Sequence, residues 1–238
     1  MARTEIRFTG FGGQGIIRCS LIAGKALSLF DGLNASMNQS FGPEARGSAC
    51  SSQLVVSDAR VLYPYITTPA ILISMSQEAY DKYEPELPGK GILIIDTDLV
   101  KAKPARGNIR MYSVPSTRFA EELGNRIIAN LVMMGFFTAV TKIVTPDAMK
   151  KALPGLVPDR FLDLNIRAFE KGYDYGLKIL AQEKKKSGKK AAPKKTAKPK
   201  AKPAAKPKAK PAAKPKVKPA AKPKVKPAAK PKAKAKKK

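Results

Sequence analysis

The sequence lacks several residue types on which protein chemistry often depends. Its 238 residues include no His, no Trp and only two Cys, Cys19 and Cys50. Two thiols are too few for a disulfide framework, a four-thiolate iron–sulfur cluster or a Cys-only zinc site within the chain. Without His, no imidazole can serve as a metal ligand or general base. We therefore expect no Cys- or His-based metal site, and we assign neither a metal ligand nor a catalytic residue to this chain.

Long apolar segments are also missing. The most apolar segment, residues 127–140, has 14 residues, whereas a helix that spans a bilayer needs about 20. Residues 1–7 lack the apolar core of a signal peptide. These features predict a soluble protein of the reducing cytoplasm that makes no membrane contact.

Acidic residues are absent from the last part of the chain. Residues 184–238 contain 25 Lys and no Asp or Glu, so most of the formal net charge of +28 lies there. Residues 1–183 hold 21 basic and 18 acidic residues, a net charge of only +3. The only apolar residues after 183 are Ala and Val, which cannot offset the entropy of ordering a chain. We predict a globular domain over 1–183 and a disordered Lys/Pro/Ala-rich tail over 184–238.

Within this tail, residues 198–233 form nine tetrads with a proline at every fourth position. The prolines prevent a persistent helix, so we expect an extended, polyproline-rich segment. Such a polycation is suited to sequence-independent nucleic-acid binding through counterion release. It is equally suited to steering an acidic partner protein. A third alternative is a solvated extension without a specific partner.

Strand patterns alternate with helix patterns along residues 1–183. Strand patterns lie at 6–9, 33–39, 53–57, 70–75, 92–95 and 109–114, and helix patterns at 16–30, 76–83, 116–123, 126–142, 146–153 and 159–180. This alternation predicts an α/β fold: three α/β/α layers around a largely parallel, Rossmann-like sheet.

A glycine loop joins the first strand to the first helix. Gly10, Gly12 and Gly15 match the G-x-G-x-x-G pattern, which presents backbone amides to a phosphate at a helix N-terminus. A dinucleotide site also requires an acid about 20 residues on, but the second strand offers only Asn38 and Gln39 there. Three alternatives stay open: a dinucleotide site, a purely structural turn, or a loop that faces another phosphate ligand or a partner subunit.

A second loop, residues 40–48, carries Glu44 and Arg46. We expect it to leave the carboxyl end of a strand next to the first strand, which would place both residues beside the glycine loop. Arg46 could then bind a carboxylate or phosphate. Alternatively, Glu44 and Arg46 pair with each other and hold a loop at a subunit interface.

Five segments together resemble the gamma subunit of the 2-oxoacid:ferredoxin oxidoreductases. They are the two loops, residues 10–15 and 40–47, with Ser74–Tyr83, and the helical segments Glu122–Asn130 and Leu164–Gly172. The resemblance covers about residues 3–180 in order. Ser48 departs from the family pattern, which usually has glycine there, and the tail has no counterpart. Residues 30–39 and 44–46 are most similar to those of 2-oxoglutarate enzymes. Pyruvate and branched-chain 2-oxoacids stay open as alternative substrates.

The resemblance implies a non-autonomous subunit of an enzyme that oxidatively decarboxylates a 2-oxoacid with coenzyme A and reduces ferredoxin. Thiamine diphosphate, Mg²⁺ and iron–sulfur clusters would lie on partner subunits, an alpha and a beta chain and, as a further candidate, a ferredoxin-like delta chain. This chain alone would hold none of these cofactors, but it would help to shape the coenzyme A entry side. The residues we expect to face coenzyme A are Gly10, Gly12, Gly13, Gln14, Gly15, Glu44 and Arg46.

Overall fold

A six-stranded sheet forms the centre of the globular part of the chain. The computed structural model describes residues 3–40 and 49–190, with side chains through Lys185. The strands are β1 (Thr4–Phe11), β2 (Asn34–Ser40), β3 (Ala49–Ser57), β4 (Ile71–Ser74), β5 (Ile92–Asp96) and β6 (Arg110–Val114). The helices are α1 (Ile16–Leu29), α2 (Gln77–Tyr83), α3 (Ser116–Glu122), α4 (Ala129–Thr141), α5 (Pro146–Ala152) and α6 (Leu162–Lys190). Short 3₁₀ turns lie at Glu84–Glu86, Arg126–Ile128 and Asp159–Phe161.

The strands follow the order β2-β3-β1-β4-β5-β6. β1, β4, β5 and β6 pair in parallel, whereas β3 is antiparallel to both β1 and β2. The prediction of a largely parallel α/β sheet is therefore confirmed. The expectation that the strand before the second loop lies next to β1 is wrong, because β3 lies between them. β3 follows β2 in the sequence and pairs with it in antiparallel orientation, which requires only a short connection.

Helices cover both faces of the sheet, which gives the predicted three layers. On one face, a core cluster combines Ile6, Phe8, Ile73 and Ile94 of the sheet with residues of α1, α3, α4, α5 and α6. On the other face, α2 contributes Ala79, Tyr80 and Tyr83 to a smaller cluster. All four residues of β4 are buried, as expected for a strand covered on both sides.

The helix α4 lies inside the globular part of the chain. The pairs Met133–Met134 and Phe136–Phe137 are fully buried, so their role is core packing within this chain. Gly135 and Gly172 allow α4 to pack closely on α6: a Cβ on Gly135 would meet the carbonyl oxygen of Phe169. The sequence pattern predicted the position of this buried helix correctly.

The helix α6 continues to Lys190, ten residues beyond the end predicted from the sequence. Lysine is a good helix former, and the first proline after α6 is Pro193. The helix therefore enters the segment that we assigned to the tail. The prediction of a disordered tail otherwise concerns residues outside the described part of the chain.

Candidate functional site

The glycine loop lies where β1 ends and α1 begins, at the carboxyl edge of the parallel strands. Gly13 and Gly15 have φ values of 99° and 77°, a left-handed region that favours glycine. A Cβ on Gly10 would lie 2.5 Å from Oε1 of Gln14 and 2.7 Å from Cδ1 of Ile16. A Cβ on Gly15 would collide with the side chain of Asn130, at the start of α4. Conformation thus favours glycine at positions 13 and 15, and the contact with Asn130 leaves no room for a side chain at position 15.

The side chain of Gln14 holds this loop in shape. Its Oε1 accepts a hydrogen bond from the Phe11 N–H at 2.7 Å. Its Nε2 donates to the carbonyl oxygen of Met75 at 2.8 Å. The side chain therefore ties the loop to the end of β4, and its polar atoms already have partners inside the protein. Gln14 can shape a ligand site without itself contacting the ligand.

One cleft of about 410 Å³ opens beside the loop. Its walls are mainly apolar, with Arg126 at the surface, and the lining residues include Phe11, Gln14, Met75, Leu99, Arg126, Ile127 and Ala129. Ile127 is 73% exposed although it is a large apolar residue. The N-terminal end of α4 reaches this cleft through Ala129, so its dipole favours an anion there. An extended ligand with an apolar part and phosphate groups matches this combination.

A second cleft of about 440 Å³ lies on the other side of the loop. Gly12, Gly13 and Gly15 line it together with Arg18, Cys50 and Leu156. Arg18 is exposed and forms no ion pair within residues 3–40 and 49–185. The five predicted loop residues thus come together between two clefts, one with Arg126 and one with Arg18.

Glu44 and Arg46 lie outside the described residues. The strand that follows their loop can nevertheless be placed, because Ala49 pairs with Phe11 and Cys50 with Gly10 across the β1–β3 ladder. The first described residue after the second loop, Ala49, therefore lies beside the glycine loop. It belongs to β3, whereas we expected the strand before the loop to lie next to β1.

The two thiols lie close to the glycine loop but are buried. Cys19 is in α1 and Cys50 in β3, and both are free and buried. Burial raises the pKa of the Cys19 thiol to about 12 and raises the pKa of Cys50 as well. The thiol forms therefore persist at neutral pH, which agrees with packing roles.

A buried carboxylate, Asp96, lies at the carboxyl end of β5. Its Oδ2 accepts hydrogen bonds from the Ser116 hydroxyl at 2.5 Å and from the Thr117 hydroxyl at 2.7 Å. The Thr117 N–H donates to the same oxygen at 3.0 Å. Asp96 therefore fixes the start of α3, whose Thr117 lines the first cleft, and its role is structural.

Among the described residues, no group of three or more His, Cys, Asp or Glu side chains could hold a metal ion. No helix in the part of the chain that the structure describes is long and apolar enough to cross a membrane.

Comparisons with known proteins agree with this architecture. Residues 5–175 match the family model of pyruvate ferredoxin/flavodoxin oxidoreductase. The chain belongs to this family. It is 44% identical over 174 residues to the 2-oxoglutarate synthase subunit KorC of Methanocaldococcus jannaschii, covering 72% of this chain and 93% of that relative. The family resemblance inferred from the sequence is therefore confirmed.

Two solved structures are similar to this oxidoreductase-family chain. A keto/oxoacid ferredoxin oxidoreductase gamma subunit from Geobacter sulfurreducens matches with a TM-score of 0.67 and 38% identity, covering 74% of this chain and 98% of that chain. The 2-oxoglutarate:ferredoxin oxidoreductase of Magnetococcus marinus, solved with 2-oxoglutarate, coenzyme A and succinyl-CoA bound, matches with a TM-score of 0.63 and 21% identity, covering 73% of this chain and 31% of that chain. At 21% identity, the similarity to the Magnetococcus marinus enzyme shows a shared fold. These matches favour the oxidoreductase interpretation over nucleic-acid binding as the main function.

We did not predict from the sequence which residues form the wall of the first cleft opposite the glycine loop. Arg126, Ile127 and Ala129 belong to a segment that we assigned to a helix, not to a site. Their position depends on how α4 packs against the start of α1, which a single sequence does not reveal. The local signal was an arginine directly before the apolar segment 127–140.

Proposed function

We propose that this chain is the gamma subunit of a 2-oxoglutarate:ferredoxin oxidoreductase. The observation that carries the proposal is the 44% identity to a 2-oxoglutarate synthase subunit, 93% of which the match covers. Two further 2-oxoglutarate synthase subunits, from Methanothermobacter marburgensis and Methanothermobacter thermautotrophicus, are each 43% identical. The complete enzyme releases CO₂ from the oxoacid, joins the acyl group to the sulfur of coenzyme A and passes two electrons to ferredoxin.

The chemistry of decarboxylation and electron transfer belongs to partner subunits in this proposal. The described residues offer no imidazole, no cluster of metal-ligating side chains and only two buried thiols. Thiamine diphosphate, Mg²⁺ and iron–sulfur clusters are accordingly assigned to the alpha and beta chains, and in part to a ferredoxin-like delta chain. The gamma chain contributes binding and positioning.

We assign the coenzyme A entry side to the glycine loop and the clefts beside it. The backbone amides of Gly12, Gly13 and Gly15 and the N-terminus of α1 suit a phosphate group. Arg46 would add a guanidinium, and the end of its loop lies beside the glycine loop because Ala49 pairs with Phe11. The mainly apolar cleft lined by Met75 and Leu99 suits the uncharged part of the coenzyme.

Kinetics of the assembled complex test this assignment. Gly12→Asp puts a negative charge at the phosphate position, and Arg46→Ala removes a charge-assisted hydrogen bond worth about 1.5–3 kcal/mol. Each should raise the KM for coenzyme A roughly 10- to 100-fold while CO₂ release from the oxoacid continues. Gly24→Ala in α1 is the matched control, because its Cβ would make only an ordinary contact with Leu54 at 3.4 Å. An unchanged KM in an assembled complex would contradict the assignment.

The tail over 184–238 has a separate role in this proposal, the steering of ferredoxin. Its 25 Lys and absence of acid should accelerate encounter with an acidic partner at low ionic strength. Removing residues 191–238 should lower the rate of ferredoxin reduction at low salt and leave it unchanged at high salt. Sequence-independent nucleic-acid binding is the rival, and ten phosphate contacts would give a log–log salt slope near −9.

A further inference from the structure

One edge of the sheet is open along β2. Within the described residues, β2 pairs with β3 on one side and with no strand on the other. Its seven residues, Asn34–Ser40, include neither a charged residue nor proline. Natural edge strands that stay exposed to water usually carry lysine, proline or a bulge, since a plain edge invites pairing with another chain. This edge lacks such protection.

The backbone groups that point outward from β2 can be identified. The N–H of Gln39 donates to Oδ1 of its neighbour Asn38 at 2.7 Å rather than to β3. In an antiparallel ladder, successive residues direct their N–H and C=O groups to opposite sides. Ala35, Met37 and Gln39 therefore share the outward direction. Ala35 and Met37 offer outward N–H donors, and all three residues offer outward carbonyl acceptors, whereas the Gln39 donor is already bonded to Asn38. Another extended backbone matches such a row.

An apolar groove of about 300 Å³ runs beside this edge, between α1 and β2. Leu21 and Leu29 line its outer side and are 43% and 67% exposed. Ala35 and Met37 of β2 form its inner side. The Ser20 hydroxyl in the groove wall is fully buried and has no hydrogen-bond partner among the described residues.

We propose that the β2 edge and this groove bind an extended segment of another subunit of the complex, which adds a seventh strand to the sheet. The proposal rests on the proposed function, because that function supplies partner chains. The open backbone selects an extended segment, and the groove selects apolar side chains at alternate positions. The uncharged β2 favours an uncharged segment. A second copy of this chain is disfavoured, since each copy carries a formal net charge of +28 and like charges oppose association.

Amide hydrogen exchange of the full chain, alone and in the purified complex, tests the proposal. In the free chain, the outward amides of Ala35 and Met37 should exchange fast at every protein concentration. In the complex, the same amides should exchange at least about tenfold more slowly, as a new backbone hydrogen bond predicts. Equal exchange in both states would overturn the proposal. Slowing that appears in the free chain as its concentration rises would assign the edge to a second copy and overturn it too.

A proline substitution separates strand pairing from side-chain contact. Ala35→Pro removes one outward donor, and Ala35→Ser keeps it with a side chain of similar size. Ala35→Pro should weaken association with the partner subunits about tenfold, the value of one lost hydrogen bond of about 1.4 kcal/mol. Ala35→Ser should bind like the unchanged chain, and both variants should keep its melting temperature, since proline is tolerated on an edge strand where its nitrogen faces outward. Equal weakening by both, or by neither, would overturn the strand-addition proposal.

The failure of this inference is distinguishable from failure of the proposed function. If the chain enters an active complex but β2 exchanges as fast as in the free chain, only the docking inference fails. If the chain forms no complex with the alpha and beta chains, the proposed function fails and no partner strand exists for β2, so the docking inference fails with it.

Discussion

The close packing of α4 on α6 gives a quantitative prediction for Gly135→Ala. The new Cβ would collide with the Phe169 carbonyl oxygen and lie 2.8 Å from the Tyr173 backbone nitrogen. These are backbone atoms of a helix, so no rotamer change relieves the collision and the two helices must separate. Overpacking of this kind costs about 3 kcal/mol, the upper part of the usual range. For a domain of this size, the melting temperature should fall by roughly 6–12 °C.

The same crossing supplies an internal check. A Cβ on Gly172 would collide with the Val132 carbonyl oxygen on the facing helix. Once one substitution has separated the helices, the other should cost less, so the double variant should be less destabilised than the two single variants predict. Calorimetry or urea unfolding of the full chain measures both effects, with Gly24→Ala as the control. A Gly135→Ala melting temperature within about 1 °C of the unchanged chain would refute the reasoning.

Two further predictions concern the glycine loop and its buried thiol. Gln14→Ala removes two hydrogen bonds to backbone groups and should lower the free energy of unfolding in urea by about 1–3 kcal/mol. The control Gln39→Ala should change this free energy little. Equal effects of the two substitutions would contradict the bonding described for Gln14. Because burial raises the pKa of Cys19 to about 12, against about 8.5 in an unfolded chain, the unfolded state loses its proton first as pH rises. Between pH 9 and 12, the free energy of unfolding of the unchanged chain should fall by roughly 1.4 kcal/mol per pH unit more than that of Cys19→Ala. Parallel pH profiles of the unchanged chain and Cys19→Ala would count against this explanation.

The periodicity of the sequence was sufficient for most of the fold. The buried run predicted at 70–75 and the helices predicted at 76–83 and 126–142 all form within a few residues of those bounds, because burial and helix capping are local properties. The Ser76 hydroxyl accepts the Ala79 N–H at 3.3 Å, and the Thr145 hydroxyl accepts the Ala148 N–H at the start of α5 in the same way.

The errors concern long-range arrangement. The position of β3 between β1 and β2 depends on strand pairing across the sheet, which alternation of apolar and polar residues does not specify. The role of Gln14 follows from its contact with Met75, 61 residues away, and the cleft residues Arg126 and Ile127 approach the loop only through helix packing. The end of α6 at Lys190 differs from prediction because a lysine-rich sequence favours both a helix and a solvated chain.

The most direct test of the central claim is a reconstitution assay with and without this chain. The alpha and beta chains of the same complex, with any delta chain, would be purified and supplied with 2-oxoglutarate, coenzyme A and ferredoxin. The proposed function predicts that ferredoxin reduction depends on coenzyme A, is faster with 2-oxoglutarate than with pyruvate, and is restored only when this chain is added. Full activity without this chain, or a preference for another oxoacid, would contradict it.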